Sequence, residues 1–198
     1  LVITRRLHIK DALFLRGKRC RFFVNTMDQT LVYKIEESTG YLCYGLRPLQ
    51  LHVFNNGGTE VMSIQRNFAC TARFLPCHMQ HLEVYSPPGH FIGSVQQQWS
   101  VLKPLYLVLN ENGDPLFWIR GPLITVCLYR DVQFQIQNTT NGGPIGSTSK
   151  RWQGLTHAMF FAAISDRFEV TFNMNLTVEE KALLLAASIL MDYMYYDA

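Results

Sequence analysis

The histidines and cysteines of this 198-residue chain are considered first, because imidazoles and thiolates ligate metals and act as bases or nucleophiles. The histidines are dispersed: His8, His52, His78, His81, His90 and His157. Cys20, Cys43, Cys70, Cys77 and Cys127 show no C-x-x-C spacing. His78 and His81 would form a metal-binding pair only on a helix, whereas the alternation around them indicates a strand. We therefore predict neither an enzyme active site nor a structural zinc site.

The cysteine count and the charge indicate the cellular compartment. An odd number of thiols argues against a disulfide framework and favours a reducing compartment, and no signal peptide is visible, so the chain is not expected to be secreted. The chain opens at Leu1 without a methionine, so we expect that a longer N-terminus was trimmed away. The net charge of +3 permits weak attraction to acidic lipid headgroups and does not by itself indicate nucleic acid.

Most of the chain is predicted to be β-strand. Short segments rich in β-branched and aromatic residues, often alternating with polar ones, lie at 21–24, 30–35, 49–54 and 81–85. Residues 55–58 and 110–114 are predicted hairpin loops, because glycine and asparagine adopt the positive φ that such turns need. A helical pattern is confined to 155–163 and to the C-terminal segment.

The C-terminal segment predicts a helix that is apolar on every side. Thr177 and Glu180 form a capping box at its start. Ten uncharged residues then separate Lys181 from Asp192, whereas crossing a bilayer takes about 20 mostly apolar residues. We therefore predict a core helix over 178–196, enclosed by the rest of the protein, with a membrane anchor as the alternative. Its predicted buried residues include Leu184, Ala187, Leu190 and Met191.

An internal repeat relates residues 47–99 to residues 103–152. In the first set of landmarks, Arg47-Pro48-Leu49-x-Leu51, Asn56-Gly57 and Arg66 match Lys103-Pro104-Leu105-x-Leu107, Asn112-Gly113 and Arg120. In the second set, Ile92-Gly93-Ser94 and Trp99 match Ile145-Gly146-Ser147 and Trp152. Two units are fewer than the three that solenoids need. We therefore predict a single domain over 1–198, in which two related antiparallel halves close round the helix. Trp152 is expected in the core.

Several short motifs, in a fixed order along the chain, resemble the phospholipid scramblase family of the Tubby-like superfamily. They are Pro87-Pro88-Gly89 with Ile92-Gly93, Arg120-Gly121-Pro122, Asp131-Val132-Gln133-Phe134, Ser149-Lys150-Arg151-Trp152-x-Gly154, and 166–196. The resemblance extends from about Leu31 to Tyr196. It implies a mainly β fold, a closed antiparallel Tubby-like barrel of about twelve strands around a buried hydrophobic C-terminal helix.

The resemblance also implies a calcium segment, because family members carry an acidic twelve-residue stretch before the final helix. The matching residues here are 164–175, in which Asp166 and Asn175 remain at ligand positions and Glu169 stands where the family has glycine. Calcium takes six to eight oxygen ligands, so these two are too few for a tight site. The alternation over 168–174 predicts a strand leading to the helix instead. If calcium is a cofactor, it should bind weakly or elsewhere.

Two further sites follow from the resemblance. The family carries a cluster of palmitoylated cysteines before its Pro-Pro-Gly turn, and here Cys77 remains in that cluster with Cys70 upstream. A single acyl chain gives marginal membrane binding, and an unmodified thiol is the alternative for Cys77. Members that enter the nucleus carry a basic import segment, for which Lys150 and Arg151 are the matching residues.

The resemblance therefore implies ATP-independent, bidirectional movement of phospholipids between leaflets, described in the family as calcium-activated. The expected location is the cytosolic face of the plasma membrane, with the cytoplasm and nucleus as further sites. The expected partners are acidic phospholipids of the inner leaflet and other proteins, with nucleic acid less favoured. The alternative is a Tubby-like module that binds phosphoinositides, proteins or DNA without translocating lipid. A structural adaptor is a third class.

Overall fold

The computed structural model describes residues 1–7, 20–38, 48–67, 79–123, 132–150 and 165–195. In these ranges the chain forms twelve β-strands and one α-helix. The strands are β1 (Val2–Leu7), β2 (Cys20–Asn25), β3 (Leu31–Glu37), β4 (Leu49–Asn55), β5 (Glu60–Arg66), β6 (His81–Tyr85), β7 (Phe91–Gln98), β8 (Leu105–Asn110), β9 (Pro115–Arg120), β10 (Val132–Asn138), β11 (Pro144–Lys150) and β12 (Ser165–Phe172). The helix is α1 (Val178–Tyr195).

The strands form one closed barrel in which every neighbouring pair is antiparallel. Each strand pairs with the next one along the chain, and β1 completes the circle by pairing with β12. Val2, for example, lies opposite Asn25 of β2 on one side and Glu169 of β12 on the other. Closure leaves no unpaired strand edge in the barrel wall. The predicted closed antiparallel barrel is confirmed.

The two ends of the barrel differ in their connections. The odd-numbered strands β3 to β11 finish at one end, here called the loop end, with Glu37, Arg66, Gln98, Arg120 and Lys150 as their last residues. The even-numbered strands β2 to β10 finish at the opposite end, here called the turn end, with Asn25, Asn55, Tyr85, Asn110 and Asn138 as their last residues. Strand-to-strand connections are four or five residues long at the turn end and six to fourteen at the loop end.

The turn-end hairpins use the residues that the sequence predicts. Gly58 and Gly113 adopt φ of 77° and 85°, in the left-handed region that glycine reaches without steric cost. In the second hairpin, the Asn110 side chain accepts hydrogen bonds from the backbone N–H groups of Asn112 and Asp114, at 3.0 and 2.8 Å. The predicted loops at 55–58 and 110–114 are therefore confirmed.

The helix α1 begins at the turn end and runs through the barrel to the loop end. The Thr177 N–H donates to the Glu180 carboxylate at 2.8 Å, and the Glu180 N–H donates to the Thr177 hydroxyl at 3.1 Å, so the capping box is confirmed. All residues from Leu183 to Tyr193 are buried. This confirms the core helix, including its predicted members Leu184, Ala187, Leu190 and Met191.

The core lies between α1 and the inward side chains of the strands. Large side chains that are almost wholly buried line the wall around the helix: Phe22, Ile35, Leu51, Ile64, Tyr106, Phe117, Phe134 and Phe168. They alternate along their strands with more exposed residues, as a half-buried sheet requires. Among the described residues, no helix is long and apolar enough to cross a membrane.

The repeat landmarks occupy matching positions in the barrel. Leu49 at the start of β4 pairs with Arg66 at the end of β5, and Leu105 at the start of β8 pairs with Arg120 at the end of β9. Gly93 and Gly146 also match, since a Cβ at either position would strike a backbone carbonyl of the neighbouring strand. Both glycines therefore allow close approach of two strands.

The bounds of one predicted strand are wrong, and one landmark of the repeat is exposed. The strand expected over 168–174 covers 165–172, and Met174 is 84% exposed in the turn before α1. Trp99 matches Trp152 in the repeat, yet it is 56% exposed, because it lies beyond the last residue of β7 and outside the inward alternation. Trp152 itself and the helical pattern at 155–163 lie outside the described residues.

Candidate functional site

The end of α1 is surrounded by buried polar side chains. Most of the barrel interior is apolar, but the strands place charged and amide groups around the last two turns of the helix at the loop end. These residues, here called the buried polar cluster, are Arg5, Glu37, Arg66, Gln80 and Asp192, each at most 5% exposed. A buried charge is costly unless it is paired, so each of these groups needs a partner.

Arg5 and Asp192 form a buried ion pair between the first strand and the helix. The Arg5 Nη1 lies 2.8 Å from the Asp192 Oδ2, and the two side chains are 6% and 0% exposed. Burying such a pair gains little net stability, because both ions lose their hydration. Removing only one partner leaves a buried charge and typically costs about 3–5 kcal/mol. The pair therefore fixes the end of the helix against β1.

Arg66 and Glu37 approach the helix from two other strands. The Arg66 Nη1 donates to the Gln80 side-chain oxygen at 3.3 Å, and the Arg66 guanidinium lies 6.0 Å from the centre of the Tyr193 ring, within reach of a cation–π interaction. The hydroxyl of Tyr193 donates to the Glu37 carboxylate at 3.2 Å. Tyr193 therefore joins β3 and β5 through one side chain.

The two arginines lie at the end of the helix where its dipole favours positive charge. The last turn of α1 contains no basic residue, although the C-terminal end of a helix carries partial negative charge. Arg5 and Arg66 supply positive charge there from the barrel wall. The strands therefore supply the positive charge that the last turn of the helix lacks.

Aromatic contacts complete the closure of this end. The hydroxyls of Tyr106 and Tyr195 lie 2.7 Å apart, and Tyr195 packs on Phe134 with ring centres 5.3 Å apart. Tyr106 is fully buried. Together with the buried polar cluster, these contacts anchor the helix end at several points of the barrel wall. The arrangement can position a helix and hold it in place.

The buried polar cluster was not predicted from the sequence, although the alternation of the strands contains a signal for it. Arg5, Glu37 and Arg66 each lie two residues beyond an inward-facing isoleucine. These isoleucines are Ile3, Ile35 and Ile64. Because side chains two apart on a strand share a face, a charged residue at that position points inward. Asp192 has a signal of its own, since it interrupts an otherwise uncharged stretch of helix.

The two residues of the predicted calcium segment are not brought together. Asp166 lies near the start of β12 at the loop end, with its backbone opposite Arg5. Asn175 is exposed beyond the other end of β12, in the turn before α1. Phe172 lies six residues beyond Asp166 along the strand, a span of about 20 Å. One carboxylate and one amide so placed do not fit a common calcium site. Within the described ranges, no group of three or more His, Cys, Asp or Glu residues could hold a metal.

The predicted lipidation and import residues fall mostly on segments that are not described. Cys70, Cys77 and Arg151 lie outside the described residues. Cys70 and Cys77 belong to the segment between β5 and β6, whose flanking strand ends are both at the loop end. Lys150 is the last residue of β11, half-buried at the same end, with its backbone opposite Val132 and Phe168.

Comparison with known proteins finds matches along most of the chain. The Scramblase family model matches residues 4–198. Phospholipid scramblase family member 5 of Homo sapiens is 31% identical over 176 residues, covering 87% of this chain and 64% of the relative. Phospholipid scramblase 4 of Mus musculus is 35% identical over 179 residues, covering 87% and 54%. Phospholipid scramblase 1 of Homo sapiens is 30% identical over 177 residues, covering 88% and 55%. The chain thus spans about half to two thirds of these relatives' length. No solved structure matches it significantly.

Proposed function

This chain belongs to the scramblase family, and from that membership we propose that it acts on phospholipid membranes and promotes the movement of phospholipids between leaflets. The single observation that carries the proposal is the family match over residues 4–198. We propose that the movement is bidirectional and independent of ATP, because exchange down a lipid gradient makes and breaks no covalent bond.

The filled barrel limits how such movement could occur. Helix α1 occupies the interior, and its residues from Leu183 to Tyr193 are buried. A phospholipid headgroup therefore has no path through the centre while the barrel stays closed. Backbone exposed to hydrocarbon must also be hydrogen-bonded internally. We therefore propose that the closed protein works from the membrane surface and disturbs lipid packing there.

We propose that this surface is the cytosolic face of the plasma membrane, with further populations in the cytoplasm and nucleus. The net charge of +3 is compatible with the acidic inner leaflet. Cys77 and Cys70 are the candidate lipidation sites that would strengthen the attachment, and Lys150 and Arg151 are the candidate import residues. Acidic phospholipids are the proposed partners, and other proteins form a second class.

We propose that calcium acts weakly on this chain, if the family's calcium response is retained. The support is the separation of Asp166, near the start of β12, from Asn175, beyond its end, which leaves a single predicted ligand at each position. Any calcium response would therefore have to arise at other residues or through the lipid headgroups. No step of the proposed movement depends on a metal bound between Asp166 and Asn175.

One observation favours the alternative of a membrane- or protein-binding module without translocation. The helix is held in the barrel by the buried ion pair of Arg5 with Asp192, and a wall anchored in this way resists the opening that a lipid channel would need. A module of this kind would bind phosphoinositide-containing membranes and leave lipid exchange unchanged.

A reconstitution assay separates the two functions. The 198-residue chain is reconstituted with vesicles that contain one fluorescent phospholipid in both leaflets, and a membrane-impermeant quencher reports how fast the inner pool becomes accessible. Faster exchange than in protein-free vesicles, with or without calcium, supports the proposed function. Binding to the vesicles with unchanged exchange assigns the module function instead. A strict requirement for calcium would contradict the weak calcium response proposed here.

A further inference from the structure

Exposed apolar side chains follow one another along one part of the loop end. They lie just before β6, in the connection between β7 and β8, and just after β9, so they belong to four neighbouring strands. These residues, here called the apolar arc, are Met79 (36% exposed), Trp99 (56%), Val101 (57%), Leu102 (70%) and Leu123 (59%). Their exposure is unfavourable in water, which indicates a surface that meets another phase or molecule.

Backbone contacts hold the three segments of the apolar arc side by side. The Gln97 N–H donates to the Gln80 carbonyl at 2.8 Å, which joins the segment of Met79 to the end of β7. The Gly121 N–H donates to the Pro104 carbonyl at 2.9 Å, which joins the segment of Leu123 to the β7–β8 connection. The arc is therefore built on neighbouring, hydrogen-bonded segments of the barrel.

Among the described residues, the charges beside Trp99, Val101, Leu102 and Leu123 are positive. Lys103 follows Leu102 directly and is exposed, and Arg120 is exposed at the end of β9. Residues 96–105 and 117–123 contain no aspartate or glutamate. Tryptophan with aliphatic residues and flanking basic groups suits the boundary between lipid headgroups and acyl chains, where the ring buries its apolar body and its N–H stays near water. Anionic headgroups would complement Lys103 and Arg120.

We propose that the apolar arc is the surface by which this protein docks on an anionic phospholipid bilayer. Trp99, Val101 and Leu102 would insert into the headgroup region, and Lys103 and Arg120 would pair with lipid phosphates and carboxylates. This inference rests on the proposed function and goes beyond it by assigning the contact surface.

The turn end supplies a matched control. Met174 and Val178 are 84% and 82% exposed there, at least as much as any residue of the apolar arc. Their surroundings carry more acidic than basic groups, however, since Glu179 and Glu180 follow directly and the one lysine there, Lys181, donates from its Nζ to the Met174 carbonyl at 2.9 Å. If exposed apolar area alone caused membrane binding, both ends would contribute. If an excess of basic groups must accompany the exposed apolar residues, only the loop end would contribute to membrane binding.

The test is co-sedimentation of the 198-residue chain with phosphatidylcholine vesicles that contain or lack phosphatidylserine. We expect V101D/L102D to weaken binding to the phosphatidylserine vesicles by about tenfold or more, because two carboxylates would enter the interface. K103A should weaken it by about fivefold, mainly on the anionic vesicles. M174D/V178D should leave binding unchanged. Circular dichroism shows whether each variant remains folded.

Fluorescence provides a second readout that does not depend on a charge substitution. Brominated lipids quench tryptophan that reaches the acyl chains, and the wild-type chain should lose a component of emission that W99F lacks. If the wild type binds the vesicles and V101D/L102D binds them equally well, the proposed docking surface is wrong and the proposed function is unaffected. A folded wild-type chain that binds neither kind of vesicle would overturn the proposed function itself. A dimer in solution that V101D/L102D dissociates would assign the apolar arc to a second copy and overturn the lipid assignment.

Discussion

At the scale of single residues, burial decides what an ion pair contributes. Two ion pairs of the described residues have the same separation, since Arg5 to Asp192 and Lys34 to Glu36 both measure 2.8 Å. The first is buried, with side chains 6% and 0% exposed, whereas those of Lys34 and Glu36 are 42% and 36% exposed. Water screens the exposed pair and rehydrates either partner when the other is lost. The buried pair has no such compensation.

We therefore predict a large difference between R5L and K34A. R5L leaves the Asp192 carboxylate buried without its arginine and should lower the free energy of unfolding by about 3–5 kcal/mol. K34A should lower it by less than about 1 kcal/mol. Urea unfolding followed by circular dichroism measures both. The double variant R5L/D192L should recover most of the loss, because an apolar pair removes the uncompensated charge. Equal losses for R5L and K34A would refute this account of the pair.

At the scale of elements, the close approach of two strands depends on a glycine in the barrel wall. Gly93 in β7 has φ of 150°, and a Cβ there would strike the Leu109 carbonyl of β8 and lie 3.1 Å from the Leu183 side chain of α1. Gly58 also has positive φ, but a Cβ there would meet nothing within 4 Å. Comparing substitutions at the two glycines thus separates the cost of an unfavourable φ from the cost of a steric clash between elements.

We predict that G93A destabilises the barrel much more than G58A. G58A introduces only an unfavourable backbone conformation and should cost about 1 kcal/mol. G93A adds a clash with backbone that cannot move without disturbing the β7–β8 pairing, and should cost about 3 kcal/mol or more. Thermal or urea unfolding of both variants measures the difference. If G93A proved as stable as G58A, β7 and β8 would have to be less closely packed than they are here.

The elements also show what the sequence can and cannot predict. Alternation identifies β4 and β6 almost to the residue, and the Thr177–Glu180 capping box identifies the start of α1, because these signals are local. Contacts between residues far apart in the chain leave no such local signal. Nothing near Arg5 indicates that its partner is Asp192, 187 residues away, since the pairing follows from barrel closure. The exposure of Trp99 is not a local property either, because the repeat relates Trp99 to Trp152 by sequence position and does not show where β7 ends.

At the scale of the whole molecule, the two ends of the barrel have different chemistry. The turn end carries short asparagine- and glycine-rich hairpins, with Asp28, Glu111 and Asp114 in its connections. The described part of the loop end carries the apolar arc together with Lys103 and Arg120. The buried polar cluster fixes the helix at this same end. A protein that docks through its loop end would therefore bring the best-anchored part of α1 nearest to the lipid.

The position of α1 on a membrane is a prediction for the whole molecule. Eighteen residues of helix span about 27 Å, slightly less than the hydrocarbon core of a bilayer, and only 182–191 lie between its charged residues. Moving α1 into lipid would bury Asp192 away from Arg5 and expose an emptied barrel interior. We therefore expect the helix to stay inside the barrel when the protein binds anionic vesicles.

Hydrogen–deuterium exchange measures this directly. Amides of residues 183–193 are hydrogen-bonded within the helix and shielded by the barrel, so they should exchange only through global opening, at rates similar to those of β7 and β8. Adding anionic vesicles should leave that protection unchanged and slow exchange around 99–102. R5L serves as the control for a loosened helix, since it should speed exchange at 183–193 without vesicles. Vesicle-induced loss of protection at 183–193 in the wild type would show that the helix leaves the barrel, and lipid movement would then have to proceed through an opened wall.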